Sequence, residues 1–376
     1  MPTPEQILET TFRRAFAHSI QPFISNPDIL ARVESICRNI RSRACTRFLL
    51  ACLLAKIDRP DVDIRKPYTE IGGPDCYSGR SYDETYVEPF VMKHNLPCNL
   101  TTAFLTPAFR TKNITLTPDV DLSGRPKEPY QDTLQLLTDV YEGKVSAESL
   151  LVEMVRNLLV IRNERQERLS AMLAELKSKG DELPLSSEDI VCLIQQHLNC
   201  PNVSRLPVLV VTAAYQAAER YLRERVLPLY SHVAADKQTG ALGDVEITLV
   251  NDDQVVTSYE MKDKKVTKGD IDIALQKIAN IGRRIDNYIF ITTDIIDDDV
   301  NNYAKGMYEK TGGIEFVILD CISFLRHFLH LFHRIRLQYL EAYQQLVLEQ
   351  PESAVRQELK EAFLALRRAA ESARGS

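Results

Sequence analysis

The sequence lacks long apolar runs. No stretch approaches the roughly 18 uncharged apolar residues that a membrane-spanning helix requires. The first residues, MPTPEQILETTFRR, contain no apolar core of the kind found in a secretory signal peptide. Low-complexity tracts and internal repeats are absent as well. We therefore expect an ordinary soluble globular protein, which also agrees with its 26% of charged residues.

The eight cysteines include no CxxC pair. Several of them lie within apolar runs with helical spacing, where a reduced thiol packs as a small apolar side chain. This usage favours buried thiols over disulfides or a metal site, and it predicts a cytoplasmic location.

A net positive charge is also missing, because the formal net charge is −6. No global basic field attracts nucleic acid, so a nucleic-acid partner would have to be held by local basic patches. The length of 376 residues exceeds what one ordinary core supports. We expect a mostly helical N-terminal region over residues 1–200, an α/β core over 201–345 and a C-terminal helix over 346–376.

The N-terminal region contains an irregular segment at about residues 60–130. Two or three helices precede it over residues 4–58, and the arginines of these helices, including Arg47, are expected on the surface. The stretch from Pro89 to Pro118 has no Asp or Glu but carries cations among many Thr and Asn residues. Such chemistry suits DNA phosphates and base edges, although a structural loop wrapped on the helices is the alternative. The candidate DNA-binding residues in this segment are Arg80, Lys93, Arg110 and Lys112.

The second half of the chain has an α/β pattern. The stretches GDVEITLV and VVTSYEMK read as two strands joined by a short polar turn. NYIFITT and IEFVILD read as buried strands, with helical segments before, between and after the strands. In this interpretation one helix extends over residues 206–229, another over 297–312 and a long one over 321–346. The pattern predicts a mixed central sheet flanked by helices.

Four charged side chains are predicted to share one face of the hairpin. Because side chains alternate along a strand, Asp244 and Glu246 point one way, and Glu260 and Lys262 share a face of the next strand. Carboxylates on rigid strands are ligands that Mg²⁺ accepts, with room for waters and a phosphate. A lysine on the same face can orient the attacking water and offset charge in the transition state. The alternative is a charged hairpin that faces solvent.

These residues resemble the PD-(D/E)xK nuclease superfamily, with Gly243-Asp244 on one strand and Glu260-Met261-Lys262 on the next. The resemblance implies a restriction-endonuclease-like α/β (α+β) core that cleaves DNA with Mg²⁺. It implies that Asp244 and Glu260 bind the metal and that Lys262 attends the water. An additional acid on the preceding helix would be Glu219 or Glu224, and Glu246 is a further candidate ligand. Gly243 departs from the usual proline.

The layout of the whole chain resembles a type II restriction endonuclease, and its glycine-rich and Thr-rich segments are similar to the SacI family. That resemblance implies a bacterial cytoplasmic enzyme that cuts a short palindromic site in double-stranded DNA as a homodimer. Lys264 and Lys265 would then contact the DNA backbone, or else simply solvate the turn. Two alternatives stay open: a non-catalytic DNA-binding or assembly protein, and a structure-specific repair nuclease of the same fold.

Overall fold

The computed structural model describes residues 2–18, 21–39, 43–99, 101–110, 112–177, 184–229, 241–252, 254–281 and 285–373. The chain divides into two compact units, residues 1–168 and 169–376. Among the described helices, none combines the length and the apolar character that crossing a membrane would require.

The first unit is built from helices around one apolar core. Its helices are α1 Pro4–Ala17, α2 Pro27–Arg38, α3 Arg43–Asp58, α4 Gly79–Tyr82, α5 Glu88–Lys93, α6 Glu128–Tyr141 and most of α7 Ala147–Lys177. Of the two or three helices predicted over residues 4–58, three are present. Helix α3 is central, since every residue from Ala44 to Ala55 is buried. Its sequence supplies apolar or small side chains on all faces, which is the pattern of a core helix.

The irregular segment after α3 packs against that helix. Phe48 stacks on Phe109 with ring centroids 4.0 Å apart, and it lies 4.8 Å from Phe104. The hydroxyl of Tyr68 donates a hydrogen bond of 2.6 Å to the Phe109 carbonyl. The segment therefore wraps the helices through aromatic contacts, as the structural alternative supposed.

The expected surface position of Arg47 is wrong. Only 1% of its side chain is exposed, and Nε donates to Asp83 Oδ1 at 2.6 Å. The other guanidinium nitrogens donate to Glu88 Oε2 at 2.8 Å and to the Asn99 carbonyl at 3.0 Å. Because these acceptors come from a distant part of the chain, helical spacing alone could not show that the guanidinium is buried and paired.

The second unit contains a five-stranded mixed sheet in the order β1-β2-β3-β4-β5. The strands are β1 Glu224–Val226, β2 Val245–Leu249, β3 Val255–Lys262, β4 Asn287–Thr292 and β5 Glu315–Asp320. Strands β1 to β3 pair antiparallel, whereas β3, β4 and β5 pair parallel. The predicted hairpin of β2 and β3 and the strands β4 and β5 are confirmed, but β5 lies at the edge of the described sheet and is only partly buried, with Phe316 and Ile318 as its buried residues.

Helices cover both faces of this sheet. They are α8 Ser187–Leu198, α9 Leu206–Leu222, α10 Lys268–Ile281, α11 Asp298–Lys305, α12 Met307–Thr311, α13 Cys321–Leu331, α14 Arg336–Glu349 and α15 Gln357–Ser372. Val245, Ile247 and Tyr259 belong to the core shared with α9 and α13. Tyr288 and Phe290 belong to the core shared with α10 and α11. The expected mixed sheet flanked by helices is thus confirmed.

Three of the predicted helices in this unit are wrong in extent. Helix α9 ends at Leu222 instead of continuing to residue 229, because Arg223 adopts a left-handed conformation with φ 57° and β1 follows. The helix expected over residues 297–312 is two helices separated at Gly306. The long helix expected from residue 321 breaks at His333–Ile335, a short 3-10 turn. Each break follows from local backbone geometry that apolar spacing does not reveal.

Candidate active site

The hairpin holds Asp244 against the backbone on either side of Glu260. Asp244 immediately precedes β2, whose first residue, Val245, pairs with Tyr259 in the antiparallel register. The Asp244 N–H donates to the Tyr259 carbonyl at 2.8 Å. Its Oδ2 accepts the N–H of Met261 at 2.7 Å. The aspartate therefore bonds to the residues on either side of Glu260 and is held at the open end of the hairpin.

Arg205 is a buried cation near this aspartate, at the N-terminal end of α9. Burial lowers the pKa of the Arg205 guanidinium, and the negative charge of Asp244 opposes that shift. Charge alone in this part of the sequence gave no reason to select Arg205.

Lys262 lies between two carboxylates on the face of β3 that α10 covers. Its Nζ is 3.2 Å from Glu260 Oε1 and 3.1 Å from Asp270 Oδ1. Burial alone would lower the pKa of this lysine, but the charges of both carboxylates and the hydrogen bond to Asp270 outweigh burial and raise the pKa. The ammonium is therefore kept protonated and fixed in position.

Asp270 is held by the cap at the beginning of α10. Its Oδ2 accepts the Thr267 N–H at 2.9 Å and the Thr267 hydroxyl at 2.6 Å. Burial raises the pKa of Asp270, whereas the hydrogen bonds from Thr267 and Lys262 lower it by more, so the net pKa is lowered. Sequence reasoning missed this residue, although Thr267 and Asp270 stand at capping-box spacing.

Two further side chains from different elements contact the second oxygen of Glu260. Lys277 Nζ lies 3.4 Å from Oε2, and the Tyr288 hydroxyl lies 3.1 Å from the same atom. The Tyr288 hydroxyl is also 2.9 Å from the Leu242 carbonyl. Lys277 follows Asp270 by seven residues, about two helical turns, which puts both on the same side of α10. That spacing is a signal the sequence contained.

Glu246 is buried, and its carboxylate accepts a hydrogen bond from the backbone. Its Oε1 accepts the N–H of Leu242 at 2.8 Å. Since Leu242 also accepts from Tyr288, the chain that enters β2 is tied to both the glutamate and the tyrosine. The contact positions the chain segment immediately before Asp244.

Gly243 occupies the place where the nuclease superfamily usually has proline. A Cβ at this position would lie 2.5 Å from the Tyr259 carbonyl oxygen and 2.6 Å from Ser258 Oγ. Proline carries a Cβ as well, so the close approach of β2 to β3 explains why glycine stands here.

Gly243→Ala is therefore expected to destabilise the second unit by about 2 kcal/mol, the usual scale for overpacking. The measurement is the urea midpoint of unfolding. Gly269→Ala is the matched control, because a Cβ there would meet only Thr267 Oγ1, at 3.6 Å. Equal midpoints for the two variants would contradict the expectation.

The two acids proposed from the preceding helix lie at the other end of the hairpin. Glu219 is exposed and lines a cavity of about 1150 Å³ with Leu249 and Asp252. Glu224 pairs with Leu249 across β1 and β2, and burial raises the pKa of its carboxyl. Leu249 is five residues from Asp244, about 16 Å along an extended strand. The structure thus does not bring Glu219 or Glu224 to Asp244.

The predicted basic residues after β3 lie in the turn before α10. Lys265 Nζ is 2.5 Å from Asp297 Oδ1, so this ammonium is engaged with an acid of the neighbouring loop. Lys264 is exposed, and its carbonyl accepts the Thr292 hydroxyl at 3.4 Å. Of these two lysines, Lys264 is the one that extends to solvent without an ion pair to a described residue.

In the first unit, two of the four candidate DNA-binding residues come together. Arg80 and Arg110 line one cavity of about 350 Å³. Arg80 also forms a 2.7 Å ion pair with Glu84. Lys93 pairs with Glu9 at 2.8 Å, and Lys112 is half-buried away from the cavity lining.

The hairpin offers oxygen ligands for a divalent metal, but few of them. Among the described residues, no group of three or more His, Cys, Asp or Glu side chains is close enough to hold an ion. Two hard carboxylates come from the two arms of the hairpin, and one of them, Asp244, accepts the N–H of Met261, the residue after Glu260. Mg²⁺ commonly takes one or two protein carboxylates and fills its other positions with water and phosphate oxygens. These two residues therefore fit Mg²⁺ as a pair.

Comparison with known proteins gives one family match. Residues 183–293 match the model of the SacI restriction endonuclease C-terminal domain. The matched segment includes the Asp244–Glu260 hairpin, α10 and β4. No curated protein matches the chain. The family match supports the prediction of a restriction endonuclease.

Proposed function

We propose that this protein is a Mg²⁺-dependent endonuclease that hydrolyses phosphodiester bonds of double-stranded DNA at a short palindromic site. The observation that supports the proposal is the hydrogen bond from the Met261 N–H to Asp244, which holds this aspartate beside Glu260 and Lys262, themselves joined by an ion pair. The family match over residues 183–293 supports a restriction-type activity. We infer a PD-(D/E)xK core within residues 201–345 and recognition loops within 60–130.

The roles of the side chains follow from their contacts. Asp244 and Glu260 would hold Mg²⁺, which when bound supplies Lewis-acid polarisation of the scissile phosphate. Lys262 stays protonated between its two carboxylates, so it can donate hydrogen bonds to the attacking water and to the phosphoryl oxygens on which negative charge develops. Asp270 fixes the direction of that ammonium. Tyr288 restrains the glutamate.

A palindromic site has twofold symmetry, and a homodimer presents two equal hairpins to the two strands. We propose this assembly for the protein. Its test is the mass of the protein alone and with a cleavable duplex in light scattering, where two chains per duplex are expected. One chain per duplex would oppose the assembly without opposing cleavage.

The direct test of the activity uses wild-type protein, plasmid DNA of known sequence and Mg²⁺. Discrete fragments that are absent in EDTA are the expected result. Binding without cleavage under Mg²⁺ or Mn²⁺ would instead favour a non-catalytic DNA-binding protein. Cleavage only at branches or flaps would favour a structure-specific repair nuclease, so each outcome selects one function.

Arg110→Ala is expected to weaken DNA binding, because Arg110 lines the concave site in the first unit together with Arg80. A base-edge contact would cost about 1–3 kcal/mol and relax specificity, whereas a phosphate contact would lower the salt slope by about 1. Fluorescence anisotropy in Ca²⁺ measures both quantities. Arg59→Ala is the control, since Arg59 pairs with Asp61 at 3.3 Å outside that cavity. Equal losses in both variants would contradict the assignment.

A further inference from the structure

Both oxygens of the Glu260 carboxylate are occupied by groups of the chain itself. Oε1 lies 3.2 Å from Lys262 Nζ. Oε2 lies 3.4 Å from Lys277 Nζ and 3.1 Å from the Tyr288 hydroxyl. A divalent cation that binds Glu260 must therefore displace a contact that already exists.

The two lysines differ in how firmly they are held. Lys262 is shared with Asp270 at 3.1 Å, which keeps its ammonium in place when Glu260 is engaged elsewhere. The Lys277 contact is the longest of the group, and it comes from the side of α10. Tyr288 has one hydroxyl proton and two acceptors, Glu260 Oε2 and the Leu242 carbonyl, so it cannot satisfy Oε2 fully.

The negative charge of Glu260 explains why a cation is needed beside its carboxylate. The Glu260 side chain is only 17% exposed, and a partly buried carboxylate is costly unless it is paired. Lys277, with 21% of its side chain exposed, supplies a second positive charge, at Oε2. A metal ion would neutralise the negative charge of the same carboxylate.

We propose that Lys277 is a built-in counter-cation of Glu260 that competes with the divalent metal for this carboxylate. The inference rests on the proposed metal-dependent function and adds a residue that sets how much metal the site requires. Without metal, Lys277 holds Glu260 paired. With metal bound by Glu260, the ammonium of Lys277 would be displaced from this carboxylate.

Removal of this charge should tighten metal binding, since a competitor is lost. Mn²⁺ is titrated by calorimetry into the full-length protein without DNA, so no turnover contributes. Lys277→Gln and Lys277→Met are expected to lower the Mn²⁺ dissociation constant about tenfold, because a unit charge within about 4 Å of a half-buried carboxylate interacts strongly. Lys277→Arg keeps the charge and should remain within about threefold of wild type.

Lys268→Gln is the matched control. Lys268 is in the first turn of the same helix and pairs with Asp299 at 3.0 Å, so the variant loses the same charge away from Glu260. Its Mn²⁺ affinity should stay within about twofold of wild type, and thermal melts verify that all variants are folded. A merely structural role of Lys277 would weaken metal binding instead of tightening it.

The outcomes separate this inference from the proposed function. Mn²⁺ binding that Asp244→Asn weakens but Lys277→Gln and Lys277→Met leave unchanged or weaken would overturn the inference alone. Absence of Mn²⁺ binding by the wild type would overturn both. If Lys268→Gln tightens Mn²⁺ binding by the same factor, the effect comes from net charge alone. That result would also overturn the role of Lys277.

Discussion

Lys262→Ala is expected to lower the rate of DNA cleavage about 10³-fold, within the range for loss of a positioned proton-handling or charge-stabilising group. The reason is the fixed position of its ammonium, 3.2 Å from Glu260 and 3.1 Å from Asp270. Alanine removes the only cation that is bonded to both of these carboxylates among the described residues. DNA binding in Ca²⁺ should stay within about threefold, because the lost charge acts mainly in the chemical step.

The measurement is single-turnover cleavage of a duplex that carries the mapped site. Lys310→Ala serves as the control, because Lys310 is an exposed lysine of the same unit that lies over the Tyr303 ring, away from the hairpin. Cleavage by Lys262→Ala within tenfold of the control variant would exclude Lys262 from the chemistry. Equal loss of binding and cleavage would assign it to DNA contact.

Asp244→Asn is expected to abolish cleavage to a similar degree and to weaken Mn²⁺ binding at least about tenfold. Asparagine keeps a side-chain oxygen that can accept the Met261 N–H, so the 2.7 Å contact across the hairpin is preserved. The change therefore removes a charge and leaves the backbone in place. Without metal, DNA binding should be equal or tighter, because repulsion of phosphate is relieved.

Asp252→Asn is the control for this variant. Asp252 belongs to the same hairpin, and its Oδ1 likewise accepts a backbone N–H, that of Gln254 at 2.9 Å. It lies at the turn, far from Glu260. Calorimetry should show wild-type Mn²⁺ affinity for Asp252→Asn. Unchanged metal affinity in Asp244→Asn would remove Asp244 from the set of ligands.

The hairpin shows how far local patterns reach. Side-chain alternation is a property of any extended strand, so GDVEITLV and VVTSYEMK were enough to put Glu260 and Lys262 on one face. The short turn made the antiparallel pairing of these strands the expected one, and the pairing is present. Gly243 stood out in the sequence only as a departure, and the 2.5 Å approach to Tyr259 explains it.

The acids proposed from the helix before the first strand show what local sequence patterns do not predict. Glu219 and Glu224 lay on a stretch read as one helix before the first strand. The left-handed Arg223 ends that helix and starts β1, which puts both acids beside the hairpin turn. The helical spacing of apolar residues does not show where the chain reverses direction. The position of the reversal depends on which strand the following segment pairs with.

The sequence by itself determined the types of most elements, the mixed sheet and the shared face of Glu260 and Lys262, because each depends on neighbours along the chain. Only the tertiary structure decided that Asp270, Lys277 and Tyr288 surround these residues. Their contacts require α10 to pack on β3 and β4 to lie parallel beside it. Such packing depends on burial of apolar surface between elements remote in sequence, which no local pattern encodes.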